Sequence, residues 1–153
     1  LKLCGMHMMD SCRIEKASDI SAMNHLEDHI LEAGLGFAVK TDKAEFIGRD
    51  AVLRKKDAGL DARMVQFKLT DPEPLLYHNE PVLRDGEIVG FLSSGNYGHH
   101  LGGAIGLGYV PCAGESAAEV LASSYEIDVA GTRVVAEASL KPLYDPTGAR
   151  AKA

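Results

Sequence analysis

Two short turns constrain the fold of this chain more than any other feature. Asp85 and Gly86 lie between the runs PVLR and EIVGFLSS, and Ala130 and Gly131 lie between SYEIDV and TRVVAEASL. Asp and Gly adopt positive φ at low cost, as a two-residue hairpin turn requires. The second pair of runs also alternates apolar with charged residues, which is typical of a strand with one buried face. Both segments are therefore predicted to form β-hairpins.

A further strand is predicted in the segment RMVQFKLT. Val65, Phe67 and Leu69 fall on one side of an extended chain, whereas Gln66 and Lys68 fall on the other. This period of two predicts a half-buried strand whose polar side chains face solvent.

The glycine-rich segment SSGNYGHHLGGAIGLGYV lies between the two hairpins. It contains too many glycines for a stable helix, and it ends in the strand-like AIGLGYV. Residues after about 62 are therefore predicted to form a mainly antiparallel β-barrel of about six strands, because closure of a sheet removes its exposed edges.

The N-terminal third has a helical pattern. The segment DSCRIEKASDISAMNHLEDHILEAG predicts one amphipathic helix, because apolar residues recur every three or four positions at Ile20, Met23, Leu26 and Ile30. The segment IGRDAVLRKKDAGLD predicts a short surface helix that stops near Gly59. The expected class is α+β, with an N-terminal helical segment and a barrel that meet between residues 36 and 48.

Composition excludes several classes of partner. The chain has 153 residues, 46% of them hydrophobic, which favours one domain with a real core. Its net charge is −6 and its basic residues are not clustered, so we expect no nucleic-acid partner. No apolar run approaches the ~20 residues that span a bilayer, so we expect no membrane partner. Because the chain begins with Leu, we also expect a fragment of a longer protein.

The cysteines and histidines give weak signals. Three cysteines without a CxxC pair argue against disulfides and a thiolate zinc site, and favour a reducing compartment: the cytoplasm, or the mitochondrial matrix in a eukaryote. His25 and His29 are four residues apart without an evident third ligand, so we expect no metal. His99 and His100 are interpreted as turn residues, with a functional role as the alternative.

Glu32 is a single carboxylate between an apolar residue and the glycine-rich run AGLG. A carboxylate in such a setting must be paired or exposed. From the residues alone, an exposed acid at a strand entry is the favoured interpretation. GxSxG, Walker and complete GxGxxG motifs are absent from the sequence, which excludes nucleotide binding by those modes.

Several segments, in their order and spacing, resemble the C-terminal part of the glycine-cleavage T-protein (aminomethyltransferase) family. They are DSCRIEK, LEAGLGFAVK, FIGRDAVLRKK, DPEPLLYHNEPVLRDGEIVGFLSSGNYGHHLGGAIGLGYV and SLKPLYDPTG. Within that family they most resemble the folate domain of FAD-dependent dimethylglycine and sarcosine dehydrogenases. The resemblance implies that residues 1–47 end a folate-binding subdomain and that residues 48–153 form the C-terminal barrel.

The same resemblance implies a function. It suggests the tetrahydrofolate-binding portion of a one-carbon transfer enzyme that produces 5,10-methylene-tetrahydrofolate from an N-methyl amine-derived carbon unit. FAD and the family's catalytic aspartate would belong to upstream domains, so we expect no catalytic residue here and little activity from this chain alone. The alternatives are part of a stand-alone glycine-cleavage T-protein, or a non-catalytic regulatory module of the same fold.

The resemblance also implies three folate contacts. Glu32 would grip the pterin, whose 2-amino group and ring N–H form a two-donor edge that a carboxylate can accept. Arg63 would suit the anionic folate tail, with a solvated strand-entry arginine as the alternative. Tyr97 would stack or hydrogen-bond, and is expected to share a concave surface with Glu32. Residues 17–30 depart from the family pattern.

Overall fold

The structure, a computed structural model, describes residues 3–18, 29–150 and 152. Within these ranges, three helices, α1 (Met6–Glu15), α2 (Arg49–Ala58) and α3 (Ala117–Ala122), accompany one 3-10 turn, Gly36–Ala38. The six strands are β1 (Ala62–Leu69), β2 (Pro81–Arg84), β3 (Glu87–Gly98), β4 (Gly103–Pro111), β5 (Tyr125–Val129) and β6 (Thr132–Ser139). None of the helices in these ranges is long and apolar enough to cross a bilayer.

The strands form a closed barrel in the order β1-β4-β3-β2-β5-β6, with every neighbouring pair antiparallel. β1 closes the barrel because it pairs with β4 on one side and with β6 on the other. The predicted α+β class and the barrel of about six strands are confirmed.

Both predicted hairpin turns are present. Asp85 and Gly86 have φ values of 52° and 90°, and Ala130 and Gly131 have φ values of 52° and 87°. Two consecutive residues with positive φ are the mark of the type I′ turn, whose twist matches that of the flanking strands. Asp85 also accepts hydrogen bonds from the backbone N–H and the hydroxyl of Ser124, each at 2.9 Å.

The barrel interior is the main core. Val65, Phe67 and Leu69 are almost fully buried, as their alternation in β1 predicted. The Phe67 ring lies 5.4 Å from the ring of Tyr125, between centroids, in a tilted arrangement. Apolar side chains from all six strands join this core, which also includes Leu76 from the loop between β1 and β2.

The glycine-rich segment forms the long β3–β4 hairpin, in which Gly95 lies opposite Gly106. A Cβ at Gly95 would stand 2.7 Å from the backbone carbon of Leu76. Real side chains do not tolerate such a contact, so glycine here lets the β1–β2 loop lie against the barrel and bury Leu76. The glycines thus serve close packing as well as turns.

The predicted single helix over residues 10–34 is wrong. Helix α1 begins earlier, at Met6, and ends at Glu15, and Ala17 follows with a φ of 50° that breaks the helix. Residues 30–34 form turns. Three of the four apolar positions used for that prediction, Ile20, Met23 and Leu26, lie outside the described residues. The predicted helix after Ile47 is confirmed as α2, in which Val52 is the buried residue.

The predicted solvent-facing position of Gln66 is also wrong. Its side chain is buried because the C-terminal end of α1 and residue 143 lie over it. The side-chain amide donates to the carbonyl oxygens of Ile14 at 2.5 Å and Glu15 at 3.2 Å. Its Oε1 accepts from the backbone N–H of Leu143 at 2.8 Å. Gln66 therefore joins α1, β1 and the C-terminal segment.

Candidate functional site

Glu32 lies in the turn of residues 30–34, against the entry to β1. Its Oε1 accepts hydrogen bonds from Lys55 Nζ at 2.9 Å and from the backbone N–H of Asp61 at 3.0 Å. Its carbonyl oxygen accepts from the N–H of Met64 at 2.9 Å. The side chain is only 11% exposed, so Glu32 is a paired carboxylate and the interpretation of an exposed acid is wrong.

The surroundings of Glu32 favour its charged form. Burial by itself raises the pKa of Glu32, but the hydrogen bonds from Lys55 and from the backbone of Asp61 and Ala62 outweigh it, so the pKa lies below the ordinary value of 4.5. Lys55 also contacts the carboxylate of Asp61. Its hydrogen bonds to Asp61 and to Glu32 raise the pKa of Lys55. Oε2 of Glu32 has no hydrogen-bond partner in the described ranges, which leaves one oxygen for a ligand.

A groove of about 730 Å³ begins directly after Glu32 along the chain. Ala33, Gly34 and Leu35 line it together with apolar side chains of the barrel and the C-terminal segment, and Phe37, which is 85% exposed, lies at its edge. Its charged lining residues among those the structure describes are all lysines, at positions 16, 141 and 152. The groove therefore combines apolar walls with positive charge, which suits an anionic ligand that has an apolar part.

Arg63 lies in β1, opposite Val110 of β4. Its Nε is buried and has no hydrogen-bond partner in the described part of the chain. The guanidinium also lies close to Cys112: burial raises the pKa of the Cys112 thiol, and the positive charge of Arg63 opposes that effect. Arg63 is thus not simply a solvated arginine, and because its Nε has no exposed surface, a ligand does not reach that N–H in this structure.

Tyr97 lies in β3 and lines a different groove of about 410 Å³. The walls of this second groove come from α1, from the β1–β2 loop and from β3, and they include Asp10, Arg13 and Tyr77. The Tyr97 carbonyl accepts from Ser11 Oγ at 2.7 Å. Glu32 is not among the residues that line this groove. The structure therefore does not bring Tyr97 and Glu32 together.

One charged residue that the sequence analysis did not identify is more deeply buried than Glu32, Arg63 or Tyr97. Glu15, at the end of α1, is 1% exposed. Its Oε1 accepts from the backbone N–H groups of His100 at 2.6 Å and Leu101 at 3.2 Å, and its Oε2 lies 2.7 Å from His100 Nδ1. The sequence shows two adjacent histidines in a turn, but it does not show that Glu15, 85 residues away from His100 along the chain, is the partner of one of them.

Of the two histidines considered for a metal, His25 lies outside the described residues and His29 lies within them. His29 Nδ1 accepts from the backbone N–H of Leu31 at 3.2 Å. The described ranges hold no group of three potential metal-ligating side chains. His99 and His100 lie in the turn between β3 and β4, as predicted.

Comparison with protein families decides the classification. Residues 63–145, more than half of the chain, match the model of the glycine cleavage T-protein C-terminal barrel domain. The chain belongs to this family. The matched range covers all six strands except the first residue of β1.

Individual relatives agree with the family. The chain is 38% identical to 4-methylaminobutanoate oxidase (formaldehyde-forming) of Paenarthrobacter nicotinovorans, over 98% of this chain and 18% of that protein. It is 39% identical to an aminomethyltransferase of Halothermothrix orenii, over 69% of this chain and 30% of that protein. The chain therefore spans only 18% and 30% of the length of these two relatives.

A solved structure shows the same fold. The crystal structure of the glycine cleavage system aminomethyltransferase T from Bartonella henselae superimposes with a TM-score of 0.75. The match covers 90% of this chain and 38% of the solved chain, at 22% identity. This similarity extends beyond the family model, because 90% of the chain includes segments that precede the barrel.

Proposed function

We propose that this chain is the C-terminal tetrahydrofolate-binding portion of a one-carbon transfer enzyme, in which an upstream FAD-dependent domain oxidises an N-methyl amine. Tetrahydrofolate would capture the released carbon as 5,10-methylene-tetrahydrofolate. The similarity to a formaldehyde-forming oxidase over 98% of this chain supports this branch, since formaldehyde is the carbon unit that such a capture consumes.

The observation that carries the proposal is that the residues directly after Glu32 line the groove with the lysines, although Glu32 itself is not one of its lining residues. Oε1 is held by Lys55 and by the β1 entry, so the carboxylate is fixed in place before a ligand binds. Oε2 would then accept from the N–H edge of a pterin that extends from the neighbouring groove to Glu32. Holding the folate in this way makes an otherwise bimolecular capture local.

Two further contacts belong to the proposal. Arg63 would attract the anionic folate tail through its positive charge, since its Nε is buried and the residue lines neither groove. Tyr97 would contact a part of the ligand that extends into the second groove, because it does not line the first. Neither residue would take part in proton transfer, which the family's upstream aspartate would provide.

Titration of this chain with tetrahydrofolate under reducing conditions tests the proposal. We expect Glu32→Gln to weaken binding about 10- to 100-fold, because a charge-assisted hydrogen bond is replaced by one to an amide. Lys55→Met removes the ion pair but keeps the Glu32 carboxylate. Its affinity for tetrahydrofolate therefore shows whether binding needs the carboxylate itself or the local stability that the ion pair provides. Glu126→Gln, on the barrel far along the sequence, serves as the neutral control. Equal affinities of the wild-type and Glu32→Gln chains would exclude Glu32 from the site.

Two alternative functions are a domain of a stand-alone aminomethyltransferase and a non-catalytic regulatory module. A domain of a stand-alone aminomethyltransferase would also bind tetrahydrofolate, and the relatives of that class support it over 69% of this chain. The sequence upstream in the gene discriminates between these two, because only the oxidase branch carries a flavin-binding domain. Complete absence of folate binding would favour the regulatory module.

A further inference from the structure

Lys16, one of the three lysines that line the groove of about 730 Å³, is held by the C-terminal segment. Its Nζ lies 3.2 Å from Oδ2 of Asp145 and donates to the carbonyl oxygens of Tyr144, at 3.5 Å, and of Asp145. Burial by itself raises the pKa of Asp145, but the hydrogen bonds from Lys16 and from the backbone of Arg150 and Ala149 outweigh it. The pKa of Asp145 therefore lies below the ordinary value of 3.8, and the two side chains form a close ion pair.

The other two lysines of the groove have different surroundings. Lys152 Nζ donates to the Thr147 carbonyl at 3.4 Å, a contact within the C-terminal segment itself. Lys141 Nζ has no hydrogen-bond or ion-pair partner among the residues that the structure describes. An anionic ligand meets the least competition at Lys141, because no ion pair within the protein has to break first.

Asp145 begins a turn that supplies part of the groove wall. This C-terminal turn comprises residues 145–149. The Asp145 carbonyl oxygen accepts from the N–H of Gly148 and its Oδ1 accepts from the N–H of Ala149, each at 2.9 Å. Residues 146–148 line the groove. The shape of this wall therefore depends on where the turn is held.

Lys16 joins the C-terminal turn to the rest of the protein. It directly follows α1, and the next two residues, Ala17 and Ser18, also line the groove. Among the described residues, the other hydrogen bonds of the C-terminal turn lie within residues 145–152. Asp145 has a φ of 46°, a left-handed conformation that costs free energy for a residue with a Cβ, although Asp tolerates it better than most. Such a conformation persists where surrounding contacts favour it, as the ion pair with Lys16 does here.

We propose that Lys16 is a positioning residue of the groove, whose ion pair with Asp145 holds the C-terminal turn in place as a wall, and that Lys141 binds the anionic part of the ligand. The ligand then meets a wall that is already formed, so binding does not have to order it. The identity of the ligand rests on the function proposed above, whereas the state of the turn does not.

A direct role of Lys16 in anion binding makes the opposite prediction. In that case Asp145 competes with the ligand for the ammonium group, and removal of its charge should strengthen binding. Asp145→Asn separates the two roles, because it keeps an oxygen for the Ala149 N–H and suits a positive φ, but no longer forms an ion pair with Lys16. All three lysine charges of the groove remain in this variant.

Amide hydrogen exchange, followed by NMR on the chain without ligand, tests whether Lys16 holds the turn. We expect Lys16→Met to speed exchange at Gly148 and Ala149 about 10-fold, the factor of one charge-assisted hydrogen bond, although neither acceptor of these N–H groups is altered. Lys16→Arg should restore slow exchange, because a guanidinium also pairs with a carboxylate. Lys141→Met is the matched control and should change nothing at the turn. Unchanged exchange in Lys16→Met would overturn the proposal.

Titration with tetrahydrofolate tests whether the held turn matters for binding. Asp145→Asn should weaken binding about 3- to 10-fold, because the apparent affinity falls with the fraction of chains whose wall is formed. Lys16→Met should weaken it at least as much, and Lys16→Arg should recover most of the loss. Tighter binding by Asp145→Asn would assign Lys16 to the ligand instead, and equal affinity would reduce the ion pair to a contact without a role in binding. Either result overturns the positioning role.

The role of Lys141 is tested in the same titration. Lys141→Met should weaken binding about 10-fold and leave exchange at the C-terminal turn as it is in the wild-type chain. Wild-type affinity in this variant would exclude Lys141 as the partner of the anion. A wild-type chain that binds no tetrahydrofolate would overturn both the proposed function and the role of Lys141, and the exchange experiment would still decide whether Lys16 holds the turn.

Discussion

Glu32 and Glu15 show how two carboxylates of one chain are held for different tasks. Glu32 uses one oxygen for contacts within the protein and has the other without a partner in the described residues, and the residues that follow it line a groove with lysines. Glu15 gives both oxygens to the protein, and through them it orients an imidazole at the surface. In each case the surrounding hydrogen bonds fix the orientation of the carboxylate in the folded chain.

The depressed pKa of Glu32 predicts a pH-dependent contribution to stability. Because the folded pKa lies below the ordinary 4.5, the contribution is present above that value and is lost as the pH falls through the folded pKa. Urea unfolding should show Glu32→Gln less stable than the wild-type chain at pH 7, by about 1–3 kcal/mol. The difference should shrink at pH 3.

The comparison isolates Glu32, because other carboxylates with lowered pKa values, such as Asp85 and Asp145, are common to both chains. Glu126→Gln should be nearly neutral at both pH values. A difference between wild type and Glu32→Gln that is the same at pH 7 and pH 3 would show that the ion pair with Lys55 contributes nothing.

The two hairpins are similar elements with different turn residues. Asp85 suits positive φ and accepts from Ser124, whereas Ala130 has the same φ of 52° without a side chain that favours it. A non-glycine residue in the left-handed region costs about 1–2 kcal/mol unless it is Asn or Asp. The β5–β6 turn is therefore the less favourable of the two.

Ala130→Asn should consequently stabilise the chain by about 0.5–1 kcal/mol, since Asn-Gly is the preferred type I′ turn. Thermal or urea unfolding measures the change. Asp85→Asn is the matched control and should change stability little, because the new Oδ1 can accept from Ser124 as before. Destabilisation by Ala130→Asn would indicate that the turn differs from type I′ in solution.

In the whole molecule, helix α1 packs against the barrel across the domain boundary that the sequence predicts. The division into residues 1–47 and 48–153 stays a prediction, but α1 contributes buried groups to the second part. Ile14 packs with Ile105 and Leu107, and the main-chain carbonyls of α1 satisfy the Gln66 amide. The family model starts at residue 63 and so omits this helix.

A chain restricted to residues 48–153 should therefore be less stable than the whole chain, by at least about 3 kcal/mol. Loss of a buried isoleucine typically costs 2–5 kcal/mol, and an unsatisfied buried amide adds to it. Urea unfolding compares the two, and a chain that begins at Gly5 is the control, because it removes only residues ahead of α1. Equal stability of the 48–153 chain and the whole chain would establish residue 48 as a true folding boundary.

The sequence by itself determined the features that depend on neighbours in the chain. Strand alternation, the turn residues at 85–86 and 130–131 and the cap of α2 are local, so the barrel strands and hairpins followed from pattern. The position of Gln66, the end of α1 and the separation of Tyr97 from Glu32 were decided by the tertiary structure. The tertiary structure also decided the pairing of Glu15 with His100. In these cases the deciding contacts join residues far apart in the chain, and the periodicity of one segment holds no information about which distant group will cover it.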